Sequence, residues 1–121
     1  MHVGQCHCGN IKLSIQQLTE TATSCNCSIC IRYQALWGYF TESQVLLSIG
    51  LHGINHYCQG DKMINFYACP HCFCVTHYRS STPTENSRFA VNYHLFDTQL
   101  IQHSTMKIKH FDGANSWQYI N

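Results

Sequence analysis

Charge is scarce in this chain. Charged residues make up 11% of the 121, and seven Lys and Arg stand against six Asp and Glu, a net charge of +1 with no basic run. Electrostatic capture of a nucleic acid is therefore not expected, because that mode of binding needs clustered cations that displace counterions from phosphates. Long apolar runs are missing too, since no window approaches the roughly 18 residues that a membrane-spanning helix needs. The stretch MHVGQCHCGN has neither the basic segment nor the apolar core of a secretory signal, so the expectation is a soluble, cytoplasmic protein. Proline is limited to Pro70 and Pro83, and no repeat, linker or low-complexity tract divides the sequence. One domain over residues 1–121 is expected, at roughly 100–200 residues per domain. Helical periodicity is also lacking: no stretch sustains it over three turns.

Apolar and aromatic side chains are plentiful. An apolar content of 45%, with seven Tyr, six Phe and two Trp, points to a packed globule and not to disorder. A chain of this size buries only about two-thirds of the surface it exposes when unfolded, so its core is modest and an internal staple would help it. Several short runs alternate apolar and polar residues, the signature of half-buried strands. Ile11, Leu13 and Ile15 fall on one side of NIKLSI; Ile64, Phe66 and Ala68 do so in MINFYA; Phe73, Val75 and His77 in FCVTHY; Met106, Ile108 and His110 in MKIKHF. FAVNYHLF, residues 89 to 96, reads as a further strand. Turn chemistry separates the runs at Gly50 to Gly53, Gly60-Asp61, Ser80 to Asn86 and Asp112-Gly113. The best helical candidate is one turn from Ser28 to Tyr33. The pattern predicts a mainly β, mostly antiparallel protein.

Nine cysteines, an odd number in a reducing compartment, read as metal ligands or reactive thiols and not as disulfides. Seven of them fall into three groups: Cys6 with Cys8, then Cys25, Cys27 and Cys30, then Cys69 with Cys72. Two pairs and a triplet suggest one closed four-thiolate site and one three-thiolate site. Four cysteines in a tetrahedron describe structural zinc, whereas three protein ligands leave an exchangeable position. Spacing alone leaves two partitions open, because Cys6 and Cys8 can join either the last pair or two members of the triplet. A second structural zinc, with the triplet completed by a histidine or by Cys74, fits the same spacing. His7 and His71 read as solvent-facing spacers, His77 as a core histidine, and Cys58 and Cys74 as small buried hydrophobes. Arg32, two residues past Cys30, is a candidate contact for a substrate carboxylate beside the plainer reading of a solvated arginine. Trp37, Tyr39 and Phe40 read as aromatic core, and Asp112 as a turn residue.

The motifs CHCG, CNCSIC and CPHC, in this order, resemble the glutathione-dependent formaldehyde-activating enzyme family, which also includes proteins like centromere protein V. GQCHCGNIKLSI is similar to the family's opening strand pair, and FAVNYHLFD and IKHFDGANSWQYI to its C-terminal strands and closing turn. The resemblance implies a β-tent fold of antiparallel sheets with two zinc sites. It pairs Cys6 and Cys8 with Cys69 and Cys72 around a structural zinc, and gives Cys25, Cys27 and Cys30 a second zinc whose fourth position is left for water or substrate. It also implies a zinc-dependent carbon–sulfur lyase acting on S-hydroxymethylglutathione or a related small thiol adduct. Three thiolates make a softer Lewis acid than three imidazoles, which suits thiol or hydroxymethyl coordination better than hydrolysis. Two rivals stand beside it: a non-enzymatic zinc module that binds a macromolecule, and a thiol-based zinc or redox sensor. The chain departs from the family at two glycine positions, carrying Phe73 after the last cysteine pair and Tyr33-Gln34-Ala35 after the triplet. If the first of these glycines has a positive φ, Phe73 predicts a changed knuckle loop.

Overall fold

The computed structural model describes residues 1–58 and 60–120. The alternation in NIKLSI becomes strand β2 (Ile11–Ile15), with Ile11, Leu13 and Ile15 fully buried. It pairs antiparallel with β1 (His2–Gln5) on one side and β5 (Leu46–Ile49) on the other, forming a three-stranded sheet in the order β1-β2-β5. A second sheet runs β10-β3-β4-β9-β8-β7-β6 and comprises β3 (Thr21–Cys25), β4 (Trp37–Thr41), β6 (Asn55–Cys58), β7 (Ile64–Ala68), β8 (Val75–Ser80), β9 (Arg88–Asn92) and β10 (Lys107–Phe111). The expected mainly β architecture is present. The expectation of antiparallel sheets holds except at one edge, where β10 lies parallel to β3.

The larger sheet is covered on both faces. Against one face the small sheet delivers Leu13 and Ile15, which with Val45, just before β5, pack against Ala22, Leu36, Phe89, Val91, Tyr93 and Phe96. On the other face lies helix α1 (Ser28–Tyr33), packed over Trp37, Phe66, Tyr78 and Ala90. Double coverage explains why the central strands depart from simple alternation: Phe89, Ala90 and Val91 are consecutive and all buried, as are Thr76, His77 and Tyr78. A strand buried on both faces has no solvent side to mark with polar residues.

Three strand expectations need correction. Phe73 does not belong to the FCVTHY strand: it sits in a turn before β8 and is 79% exposed. FAVNYHLF does not run to residue 96, because β9 stops at Asn92 and Tyr93–Leu95 form a 3-10 turn. The Asn92 side chain causes the break by accepting from the backbone N–H of His94 (3.1 Å) and of Leu36 (3.3 Å) while donating to the Val75 carbonyl (2.9 Å). MKIKHF forms a strand but not a half-buried one, since β10 is an edge strand on which Ile108 is exposed. A short helix α2 (Thr98–Gln102) leads into β10, its first turn capped by Asp97, which accepts from the Gln99 N–H at 2.9 Å. No helix among the described residues is long and apolar enough to cross a membrane.

Candidate functional site

The β1–β2 turn carries Cys6 and Cys8, and the turn between β7 and β8 carries Cys69 and Cys72. The fold brings these turns together, so that the four sulfurs lie within 4.8 Å of one another. Cys6 and Cys69 are fully buried. The sulfurs of Cys6 and Cys8 are 3.7 Å apart and those of Cys8 and Cys69 3.6 Å. A tetrahedron with metal–sulfur bonds of ~2.3 Å has edges of ~3.8 Å, so the spacing fits zinc. N–H donors already point at the sulfurs: Ile11 N at Cys6 (3.3 Å), His71 N at Cys69 (3.4 Å) and Asn10 Nδ2 at Cys69 (3.5 Å). Burial works against the Cys72 thiolate, but backbone N–H groups of Cys74 and Cys8 and the neighbouring thiols outweigh it and bring its pKa to about 5. Cys8 moves the other way: the Asn10 backbone favours its thiolate, yet desolvation and the thiols around it push it up to about 12. Four sulfurs sharing one site cannot all ionise without a cation among them.

Asn10 is a member of this site that reading the sequence missed. Besides reaching Cys69, its amide donates to the Gly53 carbonyl (2.9 Å) and accepts from His52 N (3.0 Å), tying the 50–53 turn to the cluster. His7 and His71 are exposed, as expected of spacers, although His71 stacks on His52 with centroids 4.1 Å apart. Cys58 and Cys74 are only half-buried, which corrects their reading as buried hydrophobes, and Cys74 packs against the first cluster. It is therefore not the missing partner of the triplet.

The triplet occupies the end of β3 and the start of α1. Cys25, Cys27 and Cys30 bring their sulfurs within 4.8 Å of one another, and among the described residues no other Cys, His, Asp or Glu completes a fourth corner. The helix begins here because Cys27 caps it, its sulfur accepting the Cys30 N–H at 3.4 Å; Cys27 N in turn donates to the Cys25 sulfur at 3.4 Å. Burial pushes the Cys25 and Cys30 thiols up. Burial opposes ionisation of Cys27 as well, but the Cys30 N–H and the flanking thiols lower it on balance. Trp37 lies in the same cluster as Cys30, and its buried indole N–H has no hydrogen-bond partner. Arg32 is exposed on α1 and donates to the Ser28 carbonyl at 2.6 Å. It lines a cleft of about 310 Å³ together with Ser28, Ile29, Tyr33 and Tyr57. A larger groove of about 570 Å³ lies by Gln16, Gln17, Phe40 and Gln44; no Cys, His or acidic residue lines either cavity, so the thiol sites locate the chemistry better than cavity size does.

The C-terminal segment closes over the triplet, a contact that the sequence did not disclose. Asp112 is more than a turn residue: its Oδ1 accepts from Asn26 Nδ2 (3.0 Å) and its Oδ2 from the Ser116 N–H (3.1 Å), while Asn26 Oδ1 accepts from Ala114 N (3.0 Å). These bonds hold Gly113 so close that an added Cβ would stand 2.9 Å from the Cys25 sulfur and 3.0 Å from the Cys27 Cβ. Gly113→Ala is accordingly expected to displace Cys25 and weaken metal binding at the triplet by roughly tenfold or more. Chelator competition, with the first site as internal control, measures it.

The model of the glutathione-dependent formaldehyde-activating enzyme family matches residues 1–111. The chain belongs to that family. Its fold is similar to the crystal structure of a Rhodobacter sphaeroides protein, with a TM-score of 0.68 and 22% identity over 87% of this chain and 98% of that one. No curated protein matches it. At both glycine departures the backbone takes a conformation that favours glycine. Phe73 has φ 67° and Gln34 has φ 54° and ψ 36°, both left-handed. In the knuckle Phe73 N donates to the Cys69 carbonyl at 2.9 Å, and the side chain is left in solvent. Left-handed backbone costs a non-glycine residue roughly 1–2 kcal/mol, so Phe73→Gly is expected to stabilise the fold by about 1 kcal/mol, read from denaturant midpoints at equal metal content.

Proposed function

We propose that this chain is a zinc-dependent carbon–sulfur lyase, a single β-tent domain acting in the cytoplasm on S-hydroxymethylglutathione or a related small thiol adduct. Cys6, Cys8, Cys69 and Cys72 hold a structural zinc, and Cys25, Cys27 and Cys30 hold a second. The observation that carries the reading is the triplet itself: three convergent thiols with no fourth protein ligand among the described residues. Bound there, zinc supplies a Lewis acid with one exchangeable position.

The reaction needs no oxidant. In the forward sense a thiolate sulfur attacks the formaldehyde carbon, the carbon–sulfur bond forms, and the carbonyl pair moves to oxygen, which takes up the proton the thiol gave up. In reverse the hydroxymethyl oxygen loses its proton and the carbon–sulfur bond breaks with its electron pair returning to sulfur. Within this scheme Cys25, Cys27 and Cys30 define where the sulfur sits. Arg32 offers a guanidinium to a carboxylate of the adduct once it leaves the Ser28 carbonyl. The 112–117 segment, latched by Asp112 and Asn26, walls the triplet on the Cys25 side. Exchange spectroscopy on glutathione and formaldehyde tests the proposal: faster exchange with the protein present, lost in Cys30→Ser, is expected. Exchange unchanged with glutathione and with other small thiols would remove the lyase assignment.

A further inference from the structure

Trp37 is 1% exposed, and its indole N–H is buried without a partner. A stranded donor in a core is costly and rare, and the ring cannot turn away to find an acceptor. It stands edge-on to Tyr78 with centroids 4.8 Å apart, tilts against Phe66 at 6.1 Å, and its backbone is paired with Thr23 on one side and Asn92 on the other. Trp37 shares its packed cluster with Cys30, and Cys30 is the one cysteine of the triplet that is buried, Cys25 and Cys27 being half-buried. A neutral thiol is a weak acceptor, while a thiolate is a charged one that makes markedly stronger hydrogen bonds. Backbone N–H groups serve the sulfurs of Cys25 and Cys27, each at 3.4 Å. The buried sulfur of Cys30 and the buried, unpartnered indole N–H of Trp37 share one cluster.

We propose that Trp37 is a positioning residue of the triplet: its indole N–H donates to the Cys30 sulfur once that sulfur is a metal-bound thiolate, fixing the Cys30 rotamer and withdrawing electron density from the ligand. Hydrogen bonds of this kind tune a metal's acidity through its ligands, and their loss typically costs roughly 10–100-fold in metal affinity. The inference rests on the triplet's holding a thiophilic metal, as argued above.

The test uses the full chain loaded with a magnetically active cadmium isotope. The indole proton of Trp37 is expected to move downfield on loading and to show a scalar coupling to cadmium, transmitted through the N–H···S hydrogen bond. Replacing Trp37 by its benzothiophene isostere, which keeps the ring and lacks the N–H, is expected to weaken zinc at the triplet roughly tenfold and leave the first site unchanged, with Trp37→Phe behaving alike. Cadmium held by the triplet with no coupling and no indole shift overturns the proposal. So does an isostere that restores the affinity lost in Trp37→Phe, since that result assigns Trp37 to packing alone. Failure of Cys25, Cys27 and Cys30 to take up cadmium at all removes instead the metal reading on which the proposal stands.

Discussion

Cys69→Ser is expected to abolish cooperative folding, whereas Cys30→Ser leaves a folded protein with one metal fewer. The two cysteines are both buried, but they tie together different lengths of chain. Cys69 shares its cluster with Cys8, 61 residues away, and so joins the β1–β2 turn to the β7–β8 turn and the small sheet to the large one. Structural zinc contributes ~10–16 kcal/mol of apparent binding free energy in small zinc-binding peptides, as large as the whole stability of an ordinary domain at ~5–15 kcal/mol. The substitution also removes the sulfur that accepts from Asn10 Nδ2 and His71 N. Cys30 belongs to a cluster contained within residues 25–30, which closes no long loop. Its loss costs a ligand, while the cap is kept, because Cys27 accepts from the backbone N–H of residue 30. Circular dichroism melting with metal content per chain separates the outcomes, and equal damage from both substitutions would mean two structural sites.

Acid is expected to destabilise the fold through His77 before the carboxylates matter. His77 is fully buried, stacked between Tyr67 (4.6 Å) and Phe89 (4.8 Å), with Nδ1 on the Thr76 hydroxyl (2.7 Å) and Nε2 without a partner. Burial, reinforced by the nearby charge of Arg79, disfavours the imidazolium and lowers its pKa from 6.5 to about 3. The sign follows directly. Above pH ~6.5 the ring is neutral folded or unfolded and nothing is lost. Between ~6.5 and ~3 the unfolded chain binds a proton that the folded chain refuses, so stability falls by up to about 1.4 kcal/mol per pH unit. Metal ligands compete for protons over part of this range, so the diagnostic is a difference. His77→Phe keeps an aromatic ring in the stack, and its stability is expected to depend less steeply on pH than that of the parent between pH ~6 and ~5. Parallel slopes in denaturant titrations would exclude His77 as the source.

Local signals in the sequence carried well where burial is one-sided. β2 shows its core face in plain alternation because the other side of its sheet meets solvent. β8 and β9 hid their register because two layers cover them, so that Thr76 and His77, neighbours of opposite orientation, are both buried. The parallel placement of β10 depends on a pairing with residues more than 80 positions earlier and has no local mark. The Asn92 break was available in principle, since a side chain that caps a turn is a common end to a strand. At the site the cysteines announced themselves by spacing. Asn10, Trp37 and the Asp112–Asn26 latch did not, because each is defined by what it approaches in space. The positive φ at Phe73 shows the same limit in reverse: the residue type disfavours a left-handed backbone, and the chain adopts one there all the same.

The central claim is that Cys25, Cys27 and Cys30 hold a metal with one position that an incoming sulfur can take. Cobalt in place of zinc reports it directly, because thiolate-to-cobalt charge transfer grows with each sulfur bound. Titrating the fully cobalt-substituted protein with a small thiol is expected to raise that absorption at one of its two sites, leave the other unchanged, and lose the response in Cys30→Ser. A spectrum indifferent to saturating thiol, with both sites carrying cobalt, would mean that protein atoms close the triplet's metal, and would contradict the account.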